Sequence, residues 1–124
     1  MPFLNNMDTH LRTGEIGEGI ACDYLQARGY KIIEVNFKRR YGEIDIVTKL
    51  KNIFVFVEVK TSASNVMPEW QITPHKLKKF KRIIEGYSLE NKLYGIEVRA
   101  DAIFINFDSK TGDHTLEHVE GIEF

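Results

Sequence analysis

The stretch IFVFVEVK, residues 53–60, constrains the fold more than any other part of the chain. Six of its eight residues are apolar, and they do not alternate with polar ones as they would in a strand with one face in water. Its β-branched and aromatic side chains favour an extended conformation. A strand apolar on both faces must be covered on both, so the segment predicts the centre of a sheet with layers above and below it. Glu58 and Lys60 then need explaining, because they end a strand otherwise suited to an interior.

The rest of the chain supplies the covering layers. TGEIGEGIACDYLQARG, residues 13–29, reads as a helix with Ile16, Ile20, Tyr24 and Ala27 along one side, extended by Ala21 and Leu25. Gly17 projects from the middle of that apolar arc, which predicts close approach of another backbone. A second helix begins at Thr73-Pro74, an N-cap followed by a first-turn proline. It gathers Leu77, Phe80, Ile84 and Tyr87 on one face, with Ile83 at its edge and Lys78, Lys79, Lys81 and Arg82 largely opposite. YKIIEVNF (30–37), YGEIDIVTK (41–49) and IEVRADAIFINF (96–107) read as strands, and the acidic tail HTLEHVEGIEF adds an edge strand. Residues 61–72 read as a loop. The predicted order is α, β-β-β, α, β, β, with no linker that would divide the 124 residues, so one domain over 1–124 is expected.

Composition narrows the functional classes. Hydrophobic residues make up 43% and charged residues 28%, which excludes a disordered chain. With Cys22 as the single cysteine there is neither an intramolecular disulfide framework nor a cysteine-based zinc site, in keeping with a cytoplasmic location. No signal peptide or membrane span is evident. GEIGEG lacks the preceding strand and the spacing of a dinucleotide loop, so no nucleotide cofactor is expected. His10, His75, His114 and His118 read as surface histidines. The net charge of −1 conceals an uneven distribution: residues 1–99 carry 16 Lys+Arg against 12 Asp+Glu, and residues 100–124 carry 1 against 6. Lys38, Arg39 and Arg40 form one basic cluster, and Lys76, Lys78, Lys79, Lys81 and Arg82 form another. Either is suited to phosphates, since local potential steers an anionic partner, but a solvated face would look the same.

The segments flanking KLKN (49–52) read as a hairpin. A two-residue loop at Lys51-Asn52 sets Leu50 against Ile53, which carries Asp45 opposite Glu58 and Glu43 opposite Lys60. Opposed carboxylates beside apolar residues are unfavourable unless something offsets their charge. The residues alone leave two readings open. In one, Lys60 pairs with both acids in a structural ion network. In the other, a divalent cation sits between Asp45 and Glu58, with the backbone oxygen of Val59 as a further hard ligand. On the first helix, Glu18 lies close to the apolar edge and is better placed than Glu15 to reach inward, although a solvated boundary glutamate fits the same position.

Taken in order, TGEIGEGIACDYLQARGYKIIEVNFKRRYGEIDIVTK, IFVFVEVKTS, TPHKLKKFKRI and VRADAIFI resemble the YraN-like family of small bacterial proteins, over nearly the whole chain. That family is similar to the Holliday junction resolvases of the PD-(D/E)xK, restriction-endonuclease-like nuclease superfamily. The resemblance implies an α/β fold with a mixed β-sheet core flanked by helices. It also implies a metal-dependent endonuclease that uses Mg²⁺ or Mn²⁺ to hydrolyse DNA, including branched DNA that a homodimer would span. It matches Glu18 to the helix glutamate, Asp45 to the metal-binding aspartate, and Glu58 and Lys60 to the E-x-K pair. Ser62 departs from the family pattern, standing where a basic residue is usual, and Ala100 interrupts the more usual V-R-F-D.

The expected catalytic set is therefore Glu18, Asp45, Glu58 and Lys60, with Asp45, Glu58, Val59 and Glu18 as metal ligands. Lys38, Arg39, Arg40, Lys78, Lys79 and Arg82 are the expected DNA backbone contacts, and Glu43 and Gln71 are accessory candidates. The alternative is a non-catalytic nucleic-acid-binding or accessory protein that keeps the nuclease fold.

Overall fold

The computed structural model describes residues 6–63, 73–108 and 110–122. Its elements run α1 (Asn6–Ala27), β1 (Lys31–Arg39), β2 (Gly42–Leu50), β3 (Ile53–Ser62), α2 (Pro74–Glu90), β4 (Val98–Phe107) and β5 (His114–Val119). The strands form one sheet in the order β1-β2-β3-β4-β5. Neighbours are antiparallel except β3 and β4, which run parallel and are joined by the crossover containing α2. A mixed five-stranded sheet flanked by two helices matches a restriction-endonuclease-like α/β fold. Gln71 lies outside the described residues. Among the described residues, no helix is long and apolar enough to cross a membrane.

The doubly apolar β3 is central, and its side chains feed two cores. Val55 and Val57 pack with Ala21 and Leu25 of α1 and with Ile103 and Ile105 of β4. Phe56 packs on the other face with Phe80, Ile83, Ile84 and Tyr87 of α2. The second helix starts as its sequence predicts: Thr73 accepts a hydrogen bond from the Lys76 N–H at 3.2 Å, and Pro74 takes the first turn, where its missing N–H costs nothing.

The apolar arc of α1 faces the core through Gly17, Ala21 and Leu25, with Ile20 and Tyr24 packed beside them, but one edge of the arc turns out. Ile16 is 54% exposed and Ala27 is exposed, while Gly17, Ala21 and Leu25 are buried. The reason is steric. A Cβ at Gly17 would run into the Thr61 side chain of β3, so the helix docks through its smallest residue and rolls Ile16 toward solvent.

The β2–β3 hairpin has the predicted two-residue loop. Leu50 pairs with Ile53, and the ladder runs regularly to Ile46↔Val57, where it ends. Beyond that point the expected alternation fails. Ile46 lies in the α1-side core, yet Ile44 and its β1 partner Phe37 lie in the α2-side core. Asp45 occupies the crossover between them, so its direct ladder opposition to Glu58 is replaced by strands that part.

Candidate functional site

Where β2 and β3 separate, the Asp45 carboxylate bridges the gap. Its Oδ2 accepts a hydrogen bond from the Val59 N–H at 2.8 Å, taking up a donor that the ladder no longer serves. Burial pushes Asp45 up to a pKa of about 6; the Val59 N–H opposes the rise, and the charges of Glu18, Glu58 and Glu43 add to it. Three carboxylates from three elements thus act on one half-buried aspartate. Glu18 comes from α1, Glu43 from the start of β2 and Glu58 from β3.

Lys60 does not offset this charge. Its Nζ lies 3.1 Å from Glu58 Oε1, and no cation among the described residues lies within ion-pair distance of Asp45. The Lys60–Glu58 pair is open to solvent, with 43% of the lysine side chain and 24% of the glutamate side chain exposed. Such a pair contributes about 0–1 kcal/mol. Glu18 is held differently, its Oε2 accepting from Asn36 Nδ2 at 3.3 Å. Val59 stands beside Ile103 of β4 in the parallel ladder.

The surface next to these residues gathers both basic clusters. Glu43, Glu58 and Lys60 line an open depression of about 290 Å³ together with Lys76, Lys79 and Ile83 of α2. A second depression, of about 560 Å³, is lined by Lys38, Arg40, Tyr41, Lys79 and Arg82, and the two share Gly42, Glu43 and Lys79. Clusters some forty residues apart in sequence become one basic surface because α2 packs over the β1–β2 hairpin. Arg39 is engaged on this surface. It grips Glu90 through two hydrogen bonds of 2.6 and 2.9 Å and lies over the Phe37 ring. Arg82 lies over the Tyr41 ring. Lys78 is exposed and lines neither depression. Lys76, which reaches the depression beside Lys60, is a residue that the sequence placed in the helix cluster without assigning it a contact.

A second group of titratable residues lies toward β5. Potential ligand atoms of Asp101, His118 and Glu120 fall within 4.8 Å of one another, a grouping compatible with metal binding in a nuclease-like fold. That grouping already contains a cation. Arg99 donates to both Asp101 oxygens, at 2.8 and 2.9 Å, and its Nη2 also reaches Tyr30 Oη at 2.7 Å and Glu120 at 3.4 Å. The remaining capacity of Asp101 goes to the Gly121 N–H and to His118, whose ring also meets the Tyr24 hydroxyl. Burial works to raise the Asp101 pKa, but hydrogen bonds from His118, Arg99 and Gly121 outweigh it and hold the carboxyl below its ordinary range. This fully buried aspartate is therefore satisfied, in contrast to Asp45. His118 is also not the surface histidine its sequence context predicts, since its side chain is 7% exposed. Nothing local signals this, because its partner Asp101 is on the neighbouring strand. At Cys22, burial, then Glu18 and Asp23, push the thiol pKa up, which disfavours the thiolate.

A family model described as "Uncharacterised protein family UPF0102" matches residues 17–105, which include Glu18, Asp45, Glu58 and Lys60. The chain is 39% identical over 117 residues to a UPF0102 protein of Thermodesulfovibrio yellowstonii, covering 92% of this chain and 97% of the relative. It is 36% identical over 105 residues to a UPF0102 protein of Thermotoga petrophila, covering 85% and 91%. Among solved structures it is similar to Pyrococcus furiosus SfsA in complex with Ca²⁺, at a TM-score of 0.41 and 17% identity, spanning 94% of this chain and 66% of that one.

Proposed function

Because the chain belongs to the uncharacterised protein family UPF0102, the YraN-like family, membership assigns no reaction and the site must carry the reading; we propose a metal-dependent endonuclease that hydrolyses DNA phosphodiester bonds. The observation that carries it is Asp45, a half-buried carboxylate with a backbone donor, three carboxylate neighbours and, among the described residues, no cation at ion-pair distance. Of the two readings open at the sequence level, an ion network needs Lys60 to neutralise both acids, and Lys60 reaches Glu58 alone. A divalent cation would relieve the charge that remains. The donors are all hard oxygens, which suits Mg²⁺ or Mn²⁺.

In this reading Asp45 and Glu58 would hold the metal, with the Val59 carbonyl and Glu18 as further oxygen donors. Bound there, the ion would supply Lewis-acid activation of the phosphodiester and of water. Lys60 stands at the rim, where its ammonium stabilises charge developing on the phosphoryl oxygens. Lys76, Lys79, Arg82, Lys38 and Arg40 hold flanking phosphates along the basic surface, so recognition is of backbone and shape and not of base sequence. Arg39 lines the same surface, with its guanidinium tied to Glu90. We take residues 1–124 as a single nuclease-like domain working on cytoplasmic DNA, with branched DNA among its substrates and a homodimer as the form that spans them.

The test measures Mn²⁺ and Mg²⁺ binding and the cleavage of duplex, single-stranded and branched DNA by the wild-type chain, Asp45→Ala and Lys60→Ala. Binding lost in Asp45→Ala, with cleavage lost in both variants, is the expected result. Cleavage that survives both substitutions rejects the assignment. One observation favours the non-catalytic alternative, namely that Lys60 is already paired with Glu58. Salt-dependent DNA binding without metal-dependent cleavage would establish that alternative.

A further inference from the structure

Asn36 belongs to none of the candidate sets that the sequence defines, yet three observations tie it to the Asp45 site. Its φ is 54°, in the left-handed region. Among the described residues two other non-glycine residues share that region, but Lys51 and Lys92 sit in turns, whereas Asn36 lies inside β1. Asparagine tolerates this conformation better than most residues, because its short amide can bond locally.

The second observation is position. Val35 pairs with Ile46 and Phe37 pairs with Ile44, so Asn36 and Asp45 stand between these two pairs on adjacent strands. This is the level at which the hairpin exchanges one core for the other, Ile46 facing the α1-side core and Ile44 and Phe37 the α2-side core. The left-handed residue and the carboxylate that leaves the ladder share one kink. The third observation is a bond: Asn36 Nδ2 donates to Glu18 Oε2 at 3.3 Å, reaching from the edge strand to α1.

We propose that Asn36 is a positioning residue for the candidate metal centre, its backbone making the kink that frees Asp45 from the ladder and its amide holding Glu18 toward Asp45. The inference rests on the metal-dependent reading above. It explains the residue type. Glycine allows the backbone but has no amide, aspartate would set a second negative charge against Glu18, and alanine would be strained at this φ without any compensating bond.

The experiment compares the full-length wild-type chain with Asn36→Gly, Asn36→Asp, Glu18→Gln and the Asn36→Gly/Glu18→Gln double variant. Mn²⁺ affinity is read by electron paramagnetic resonance and stability by metal-free thermal melting. Asn36→Gly is expected to melt with the wild type while its Mn²⁺ dissociation constant rises roughly tenfold, a loss typical of removing a group that orients a ligand. The double variant should bind no more weakly than Glu18→Gln, because the amide acts through that glutamate. Asn36→Asp should lose at least as much affinity as Asn36→Gly. Wild-type Mn²⁺ affinity in Asn36→Gly, or losses that multiply in the double variant, overturns the inference. A wild-type chain that binds no Mn²⁺ overturns the metal reading instead. The Asn36–Glu18 link is then decided by whether Glu18→Gln moves the Asn36 side-chain amide resonances: a shift upholds it, and unchanged resonances refute it.

Discussion

Replacing Asp45 by asparagine should make the metal-free protein more stable at neutral pH, although it removes the central residue of the proposed site. Asparagine keeps the shape, and its side-chain oxygen can still accept from the Val59 N–H, which spans 2.8 Å to the native carboxylate. What disappears is a charge held among Glu18, Glu58 and Glu43. The folded pKa of about 6 lies above the ordinary 3.8, so between those values the folded chain binds more protons than the unfolded one, and this group's contribution to stability falls as pH rises. The rise corresponds to about 3 kcal/mol once the carboxylate is fully ionised. Residual hydration of a half-buried group lowers the expected gain of Asp45→Asn at pH 7.5 to about 1–2 kcal/mol. That is roughly 4 °C or more in melting temperature for a domain of this size.

The assay is thermal or urea unfolding of both chains from pH 4 to pH 8, without metal and with Mg²⁺. The difference between the chains isolates Asp45, since every other titrating group is common to both. The variant should gain on the wild type through the pH 4–6 interval, reach its full advantage above it, and fall level at pH 4. Mg²⁺ should raise the wild-type melting temperature and leave the variant unmoved. A variant less stable than wild type by the same amount at pH 4 and pH 8 would refute the reasoning, because capping of Val59 and not charge would then be the dominant role of Asp45.

Other outcomes are equally specific. Gly17→Ala gains about 1 kcal/mol in helix propensity but drives a methyl into Thr61; the net result should be a loss of about 1–2 kcal/mol in urea unfolding, recovered when Thr61→Ser removes the opposing Cγ2. Arg99→Ala leaves buried Asp101 without its guanidinium and should cost about 3–5 kcal/mol; a loss under 1 kcal/mol would mean that His118 and the Gly121 N–H suffice. In the basic depressions, Lys76→Ala and Lys79→Ala should each weaken DNA binding across sequences and reduce the slope of log affinity against log salt by about 1, whereas Lys78→Ala should leave that slope unchanged.

How much of this was legible in the sequence depends on how local each signal is. The doubly apolar IFVFVEVK identified its own central place, and Thr73-Pro74 marked a helix start, because both signals lie within a few residues. The hairpin register was legible as far as Ile46↔Val57, since a two-residue loop fixes all the pairs above it. What alternation cannot foresee is where a strand stops alternating. The break at Asp45 is matched by a left-handed Asn36 on the neighbouring strand, and VNF carries no strong mark of it. The edge of the inward face of α1 is not legible for the same kind of reason. A helical wheel favours Ile16, but the steric demand that selects Gly17 comes from Thr61, more than forty residues away.

The same break bears on the choice between the two readings of the acids. Had the ladder continued, Asp45 would have faced Glu58 with Lys60 two residues along the same face, close enough for one lysine to serve both carboxylates. Because the strands part, the aspartate turns to the Val59 N–H and the lysine stays with Glu58. Regular pairing would thus have favoured the ion network, and its interruption leaves Asp45 half-buried and, among the described residues, without a cation at ion-pair distance. Asp101 shows what this fold supplies when an internal aspartate is structural: a guanidinium on both oxygens, a histidine and a backbone N–H. Asp45 receives one backbone N–H and three carboxylate neighbours. Among the described residues the Asp45 charge is offset by that one N–H and by no cation, and in the metal-dependent reading an external cation is the partner that stabilises it.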